Sequence, residues 1–445
     1  MRKTLLLLML TASVFSFGDD KNITSKELSN GLKVYVIEDH RAPLAWFQIW
    51  YNVGSSDEHV GLTGISHALE HMMFKGTPNY PAGKIIKIVD ENGGSQNAFT
   101  SRDYTCYWQK FPVSKLNLSF EIESDRMKNL ILTEKDFINE KKVILEERRM
   151  RIDDNPEGIA FEQFMATLAL ATPYQNPVIG WQRDIKNISV SDMRSWYKTW
   201  YAPNNATIVV AGDVKPDDVF ALADKYFSDI KPSKLPEKNN YSPVPQYGKK
   251  HLDVTANAST PSLVMGVLVP SLFSISKENK QDIPALLLLQ ELLSGGRNSI
   301  LEQDMVRNKH IATFANSSYS PITKYDTMFA FKAVPTADAS FGDVELGVFD
   351  VIKKLQDETI QDDLLERAKT RVLASEIYEK ESPEDYATFV GALLSIGLTW
   401  SEYKDMFVSL QNITPVELQL VAKKYFHPED FVLLNLIPKN NGDKA

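Results

Sequence analysis

The sequence has 445 residues, of which 43% are hydrophobic and 24% are charged, and its formal net charge is −9. This hydrophobic fraction excludes a wholly disordered chain, and the length favours two or three domains over one. With 58 acidic against 49 basic residues, the chain lacks the overall positive charge that attracts nucleic acid. A single cysteine, Cys106, excludes an intramolecular disulfide and a zinc ribbon.

The first 18 residues have the layout of a secretory signal peptide. A basic start at Met1-Arg2-Lys3 precedes a leucine-rich run, and Ser16-Phe17-Gly18 offers a small-x-small cleavage site. The apolar run is about 14 residues long, whereas a helix needs about 20 to span a bilayer. We therefore predict cleavage after Gly18, export to the periplasm of a Gram-negative cell, and no stable membrane insertion.

A helix with a metal-binding pattern follows two strands, which are predicted over residues 32–38 and 45–53. His67 and His71 of the pattern HxxEH are one helical turn apart, so both imidazoles can reach one cation. Zinc suits imidazole nitrogen, and a catalytic zinc takes three protein ligands and a water. Glu70 borders the same face and can take a proton from that water as general base.

A third ligand must come from another element. A second helix is predicted from Thr133 to about Arg151, and it carries Glu140, Glu146 and Glu147. Glu140 and Glu147 are seven residues apart and differ by only about 20° around the helix axis. Glu146 is turned by about 100° from Glu147. Glu147 is therefore a candidate ligand and Glu140 a carboxylate that orients the site, although helix geometry alone leaves open a solvated charged face.

The sequence repeats itself at a distance of about half its length. The segment from Asn187 to Met193 reappears from Asn412 to Leu418, and both copies indicate a capped helix followed by a strand, with Ser189 or Thr414 as N-cap. We predict an α+β fold with two homologous domains. Each is a mostly antiparallel sheet flanked by helices, and together they form a clamshell.

A proline-rich segment separates the two halves. Residues 229–250 contain four prolines, which cannot continue a helix or a central strand, so the segment is predicted to be an extended linker. The predicted organisation is a signal peptide over residues 1–18, an N-terminal domain over 19–228, this linker, and a C-terminal domain over 251–445.

These residues resemble the pitrilysin, insulinase and mitochondrial processing peptidase family of zinc peptidases with an HxxEH motif, in its small-subunit bacterial branch. The resemblance covers nearly all of the chain after residue 18. It is carried by residues 61–77, by 93–101 with Asp103, Thr105 and Tyr107, and by 140–147. It implies one zinc ion per chain, held by His67, His71 and Glu147. It also implies catalytic roles for Glu70 as general base and for Glu140.

The resemblance further implies where a peptide binds. In the family, the segment matching Asn97, Ala98, Phe99 and Thr100 is an edge strand beside the zinc, to which the substrate adds as another strand. Backbone hydrogen bonds then give affinity that tolerates many sequences, while side-chain pockets add preference.

The second half departs from the zinc-binding pattern. Residues 288–292 are the counterpart of the HxxEH segment, and only Glu291 is retained there, so a single zinc site is expected. In the family's active members this non-catalytic domain supplies an arginine and, seven residues later, a tyrosine that hold the peptide. Arg307 matches the arginine, but Phe314 replaces the tyrosine and cannot donate a hydrogen bond. We therefore expect a homodimer, or a heterodimer with a related chain that carries the complete Arg/Tyr pair.

The sequence thus predicts a zinc metalloendopeptidase that hydrolyses oligopeptides or unfolded polypeptide segments inside a two-chain chamber. One alternative is a catalytically silent or partner-dependent peptide-binding subunit, because the family includes silent members. Another is a dedicated precursor-processing peptidase, which would have the same site but cleave a single precursor.

Overall fold

The computed structural model describes residues 23–237, 241 and 244–439. The predicted signal peptide lies outside these residues. No helix in the described ranges combines the length and apolar character needed to cross a membrane.

The strands fall into two groups along the chain. Those of the first half are β1 (Ile23–Glu27), β2 (Lys33–Glu38), β3 (Leu44–Tyr51), β4 (Ser95–Thr100), β5 (Thr105–Pro112) and β6 (Ala206–Gly212). Those of the second half are β7 (Lys250–Ala256), β8 (Ser262–Val269), β9 (Ala312–Ser318), β10 (Thr327–Pro335) and β11 (Val432–Pro438).

Helices occupy most of the chain between the strands. The first half contains α1 (Ile65–Met72), α2 (Lys84–Glu91), α3 (Asn117–Asn129), α4 (Glu134–Arg148), α5 (Pro156–Leu168), α6 (Gln182–Asn187), α7 (Val190–Trp200) and α8 (Pro216–Phe227). The second half contains α9 (Asp282–Ser294), α10 (Phe341–Asp357), α11 (Asp362–Glu379), α12 (Pro383–Ser395), α13 (Trp400–Asn412) and α14 (Pro415–Tyr425). A π-helical turn over Arg149–Asp153 continues α4.

The two sheets have the same topology. The first has the strand order β1-β2-β6-β3-β5-β4, and the second has the order β7-β11-β8-β10-β9. In each sheet one pair is parallel, β2 with β6 and β7 with β11, and the other neighbours are antiparallel. The sheets therefore match strand for strand, with β1 as an addition, as expected for two homologous domains. The α+β prediction is confirmed.

The repeated segments form equivalent helix starts. Ser189 caps α7 and Thr414 caps α14, and each hydroxyl accepts a hydrogen bond from the backbone N–H three residues later. The carboxylates of Asp192 and Glu417 in turn accept the backbone N–H of the cap residue, which completes a capping box in both places.

Each half covers the sheet of the other half with one helix. Phe164 and Leu168 of α5 pack with Val432 and Leu434 on the second sheet. On the first sheet, Tyr386, Ala387 and Val390 of α12 pack with a cluster that contains the side chains Ile37, Trp46, Trp50, Cys106, Val209 and Ala211. This reciprocal exchange joins the halves through buried apolar surface.

One glycine shows how closely α12 approaches the first sheet. A Cβ at Gly391 would lie 2.2 Å from the Trp50 indole, so no side chain fits there. The same indole donates a hydrogen bond to Gln48, whose amide donates in turn to Thr388 of α12 at 2.7 Å.

Candidate metal centre and active site

The helix α1 packs one face against the core of the first half and presents the other to a cavity. Glu58 stabilises its first turn, because its carboxylate accepts the backbone N–H groups of Gly64 at 2.7 Å and Ser66 at 2.9 Å. Gly64 has a φ of +88°, and a Cβ there would lie 2.4 Å from the Ile179 carbonyl oxygen, so glycine is required. The buried apolar side chains are Ile65, Ala68, Leu69 and Met72.

Two histidines of α1 converge on a glutamate of α4. The Oε2 atom of Glu147 lies 3.3 Å from Nε2 of His71 and 3.7 Å from Nε2 of His67. In the described part of the chain, these residues form the one group of His, Cys, Asp or Glu placed to hold a metal ion, with ligand atoms within 4.8 Å of one another. Ligands at about 2.1 Å in a tetrahedron are about 3.4 Å apart. The trio therefore fits zinc.

Further side chains hold the three ligands in place. Oε1 of Glu140 lies 2.9 Å from Nδ1 of His71, which leaves Nε2 directed at Glu147. Lys75 pairs with the other oxygen of Glu140. On the far side, Oε1 of Glu147 accepts Arg151 at 3.0 Å. Glu140 thus contacts His71 and is not one of the three groups that converge on the candidate metal position.

The protonation states of the two histidines differ. Burial lowers the pKa of His67 to about 4, so its imidazole is neutral and able to ligate. Burial also opposes protonation of His71, but the hydrogen bonds to Glu140 and Glu147 outweigh it and raise its pKa to about 9. A divalent cation bound here therefore displaces a proton from His71.

Glu70 lies between the histidines and the edge of the first sheet. Its Oε2 atom accepts the Thr100 hydroxyl at 2.6 Å. Burial raises the pKa of Glu70, and the hydrogen bond from Thr100 opposes that shift. A raised carboxyl pKa brings Glu70 closer to the range in which it can accept and return a proton near neutral pH.

The predicted peptide-binding strand lines the same cavity. The cavity has a volume of ≈ 550 Å³ and includes Asn97, Ala98, Phe99 and Thr100 of β4, which is the last strand of its sheet. The Phe99 ring packs edge-to-face on Trp50, with ring centroids 5.6 Å apart.

The predicted second-half contacts lie elsewhere. Within the described ranges, the residues that line the cavity around His67 all come from the first half. Arg307 is exposed and pairs with Glu302 at 3.2 Å, and Phe314 is 46% exposed on β9. The structure therefore does not bring Arg307 to the metal position, and its role in peptide binding stays a prediction.

Sequence reasoning missed two basic residues and one hydrogen bond of the site. Arg151 follows Glu147 by four positions in the helical segment that continues α4, a spacing that could have indicated the pair. Lys75 lies beyond the end of α1, so its pairing with Glu140 has no helical spacing as a signal. The hydrogen bond from Thr100 to Glu70 joins a strand to a helix that is distant in sequence, so no local sequence pattern predicts it.

Two family models match consecutive parts of the chain. The model described as Insulinase (Peptidase family M16) matches residues 33–181, and the one described as Peptidase M16 inactive domain matches residues 187–372. The zinc protease PqqE of Helicobacter pylori is 31% identical over 433 residues, which cover 95% of this chain and 94% of that protein. The chain belongs to peptidase family M16. The family prediction is confirmed, and the relative's name supports zinc as the metal.

Solved structures share the fold of this M16 chain. A protease from Helicobacter pylori matches with a TM-score of 0.86 and 30% identity, over 94% of this chain and 99% of that one. The first half of the periplasmic protease PqqL from Escherichia coli matches with a TM-score of 0.81 and 18% identity, over 94% and 92%. The match covers 48% of the whole PqqL chain. The metal-binding trio and Glu70 lie within the part that matches the insulinase model.

Proposed function

We propose that this M16 chain is a zinc metalloendopeptidase acting on oligopeptides or unfolded polypeptide segments. The observation that supports this is the convergence of His67, His71 and Glu147 beside Glu70, at the edge of β4. A silent peptide-binding protein would have no use for a complete set of ligands and a buried base.

The residues of the chain divide the work of hydrolysis. Bound zinc supplies the Lewis acidity that polarises the peptide carbonyl and activates water. Glu70 accepts a proton from the attacking water and then delivers it to the amine that leaves when the C–N bond breaks. Thr100 holds one oxygen of Glu70 and so fixes the position of the base. The β4 edge aligns an extended peptide through backbone hydrogen bonds.

The active enzyme is expected to contain a second chain. The complex is expected to work in the periplasm. Phe314 cannot donate the hydrogen bond that the family's tyrosine gives, so a partner of similar build would supply the complete pair. The likeness to the first half of PqqL, a longer periplasmic protein, supports the same arrangement and compartment by analogy. A chamber made by two such chains would admit flexible peptides and exclude folded proteins.

The first experiment compares the wild-type chain with Glu70→Gln at equal zinc content. We expect hydrolysis of a quenched fluorescent peptide library to fall by about 10²–10⁴-fold, because the proton acceptor is lost. The matched control is Glu146→Gln, since Glu146 lies on α4 and pairs with the exposed Arg149. Equal turnover by the Glu70 variant and the wild type would overturn the proposal.

The partner requirement is tested by restoring the missing hydroxyl. Because Phe314 lies away from the cavity around His67 in its own chain, Phe314→Tyr is expected to raise kcat only when a second copy of the chain is bound, by about 10²-fold, the size of the loss when one oxyanion donor is removed. Phe273→Tyr, at a second exposed phenylalanine of the same half, is the control. An unchanged kcat in Phe314→Tyr, with the wild type already fully active, would show that no partner pair is needed. No turnover by any variant with zinc bound would favour the silent binding subunit.

A further inference from the structure

The turn that follows β4 holds an arginine in a fixed place. The Ser101 N–H donates to the Tyr104 carbonyl at 2.8 Å, which closes the turn. The Arg102 carbonyl accepts the Ser56 N–H at 2.7 Å, and a Cβ at Gly54 would lie only 2.5 Å from that same carbonyl. The backbone of Arg102 therefore packs closely on residues 54–56, the segment before α1.

Arg102 is half-buried, and none of the described carboxylates forms a hydrogen bond or ion pair with its guanidinium, although the nearby charge of Asp103 favours its protonated form. Burial lowers the pKa of Arg102. The guanidinium stacks on Tyr174, with its Cζ 5.5 Å from the ring centroid. Its Nε atom is inaccessible to solvent, and among the described residues no hydrogen bond or ion pair is found for it. Its Nε–H group therefore has a free hydrogen-bonding capacity that a carboxylate of a ligand could fill.

The neighbouring acids are already engaged. Asp103 accepts the Ser56 hydroxyl on one oxygen at 3.0 Å, and its other oxygen accepts the Tyr174 hydroxyl at 2.5 Å and the Lys324 N–H at 3.1 Å. Asp326, on the opposite wall, accepts the Ser274 hydroxyl at 2.6 Å. Neither carboxylate is hydrogen-bonded to the guanidinium.

Arg102 lines a cavity of ≈ 410 Å³ between the two halves. The cavity begins at Ser101, directly after the carboxyl end of β4, and extends to Ser318, the last residue of β9. Both strands are the outermost strands of their sheets, so an exposed edge from each half ends at this cavity. Hydroxyl groups and apolar side chains form most of the remaining wall.

We propose that Arg102 binds a carboxylate of the peptide substrate in this cavity and so fixes the position of the peptide along β4. The proposal rests on the proposed function. Arg102 follows Thr100 by two residues, so at about 3.3 Å per residue their Cα atoms are within about 7 Å. A peptide that passes Glu70 along the strand reaches the guanidinium within a few residues. The planar guanidinium suits a carboxylate bound through two parallel hydrogen bonds.

The carboxylate has two sources, the C-terminus of the peptide or an acidic side chain. The experiment measures peptide binding by fluorescence anisotropy to the zinc-loaded Glu70→Gln chain, so that it does not depend on turnover. One peptide pair differs only in a C-terminal acid or amide. A second series places a single Glu or Gln at successive positions of an amidated peptide.

We expect one series to show binding at least about tenfold tighter for the acid form, the scale of a charge-assisted hydrogen bond. Adding Arg102→Gln should remove that ratio, whereas adding Arg367→Gln, at an exposed arginine of α11, should keep it. The series with the preference identifies the source of the carboxylate. Equal affinities in both series, or a preference that survives Arg102→Gln, would overturn the inference. Turnover by the wild type tests the proposed function separately.

Discussion

The two halves place an equivalent pair of helices at the same point of equivalent sheets, and only one pair can bind zinc. In the first half α1 follows β3 and packs on α4, and in the second α9 follows β8 and packs on α11. Leu288 and Leu292 stand where His67 and His71 stand in the first half, and both leucines are buried in the core.

The glutamate that the second helix pair retains, Glu291, has a different partner from Glu70 of the first pair. Glu291 forms an ion pair with Arg371 of α11, where the first half has Glu70 hydrogen-bonded to Thr100. The second helix pair therefore packs with leucines at the two positions that carry histidine in the first pair. Metal binding depends on a few side chains of the first pair, which leads to the following predictions.

The largest effect is expected from giving α1 the residue of α9. His71→Leu removes one ligand while keeping an apolar side chain that this helix position tolerates in the second half. We expect zinc binding to be lost and hydrolysis to fall by more than the 10–100-fold typical of residues behind the ligands. Stoichiometric zinc in the purified variant, measured by atomic emission, would contradict the assignment. The melting temperature of the variant should match that of the chelator-treated wild type.

The reciprocal change, a histidine in α9, should destabilise the fold without creating a zinc site. Leu292→His buries an imidazole without a suitable partner, and we expect the free energy of unfolding to fall by about 3 kcal/mol. Urea denaturation measures the loss, and Leu346→His at an exposed leucine is the control. Zinc binding by the second half of the Leu292 variant would show that the two helix pairs are closer in chemistry than the sequence indicates.

A smaller effect is expected behind the ligands. Glu140→Gln weakens the partner of His71 Nδ1, and zinc affinity should fall by about 10–100-fold. Competition with a chelator measures this, with Glu146→Gln as the control on the same helix. An unchanged affinity would mean that Lys75, the other partner of Glu140, and not His71, explains the presence of that carboxylate.

Much of the site could be predicted because its information is local. The spacing of His67, Glu70 and His71 sets one helix face, and the seven-residue spacing of Glu140 and Glu147 sets another. The geometry agrees with both, and the capped helices at Ser189 and Thr414 lie where the repeat indicated. The pairing of α1 with α4 needed the family resemblance, since helix geometry alone left Glu147 open.

What could not be predicted depends on contacts between distant parts of the chain. The exchange of α5 and α12 between the halves has no local signature, because the periodicity of a helix predicts an apolar face but not the sheet against which that face packs. The stacking of Arg102 on Tyr174 is of the same kind, and in the sequence Arg102 looks like any surface arginine. The positions of Arg307 and Phe314 depend on how the halves, and any partner chain, approach one another.

The exchange of α12 has a consequence for synthesis of the chain. The outer face of the first sheet, with Trp46 and Trp50, is complete once β6 has been made, but α12 begins at Pro383. The ribosome must add roughly 170 more residues, which takes about 10–35 s at about 5–20 residues per second. During that interval an aromatic surface stays uncovered on the nascent chain. The first sheet can therefore complete the packing of this face only after α12 has been made.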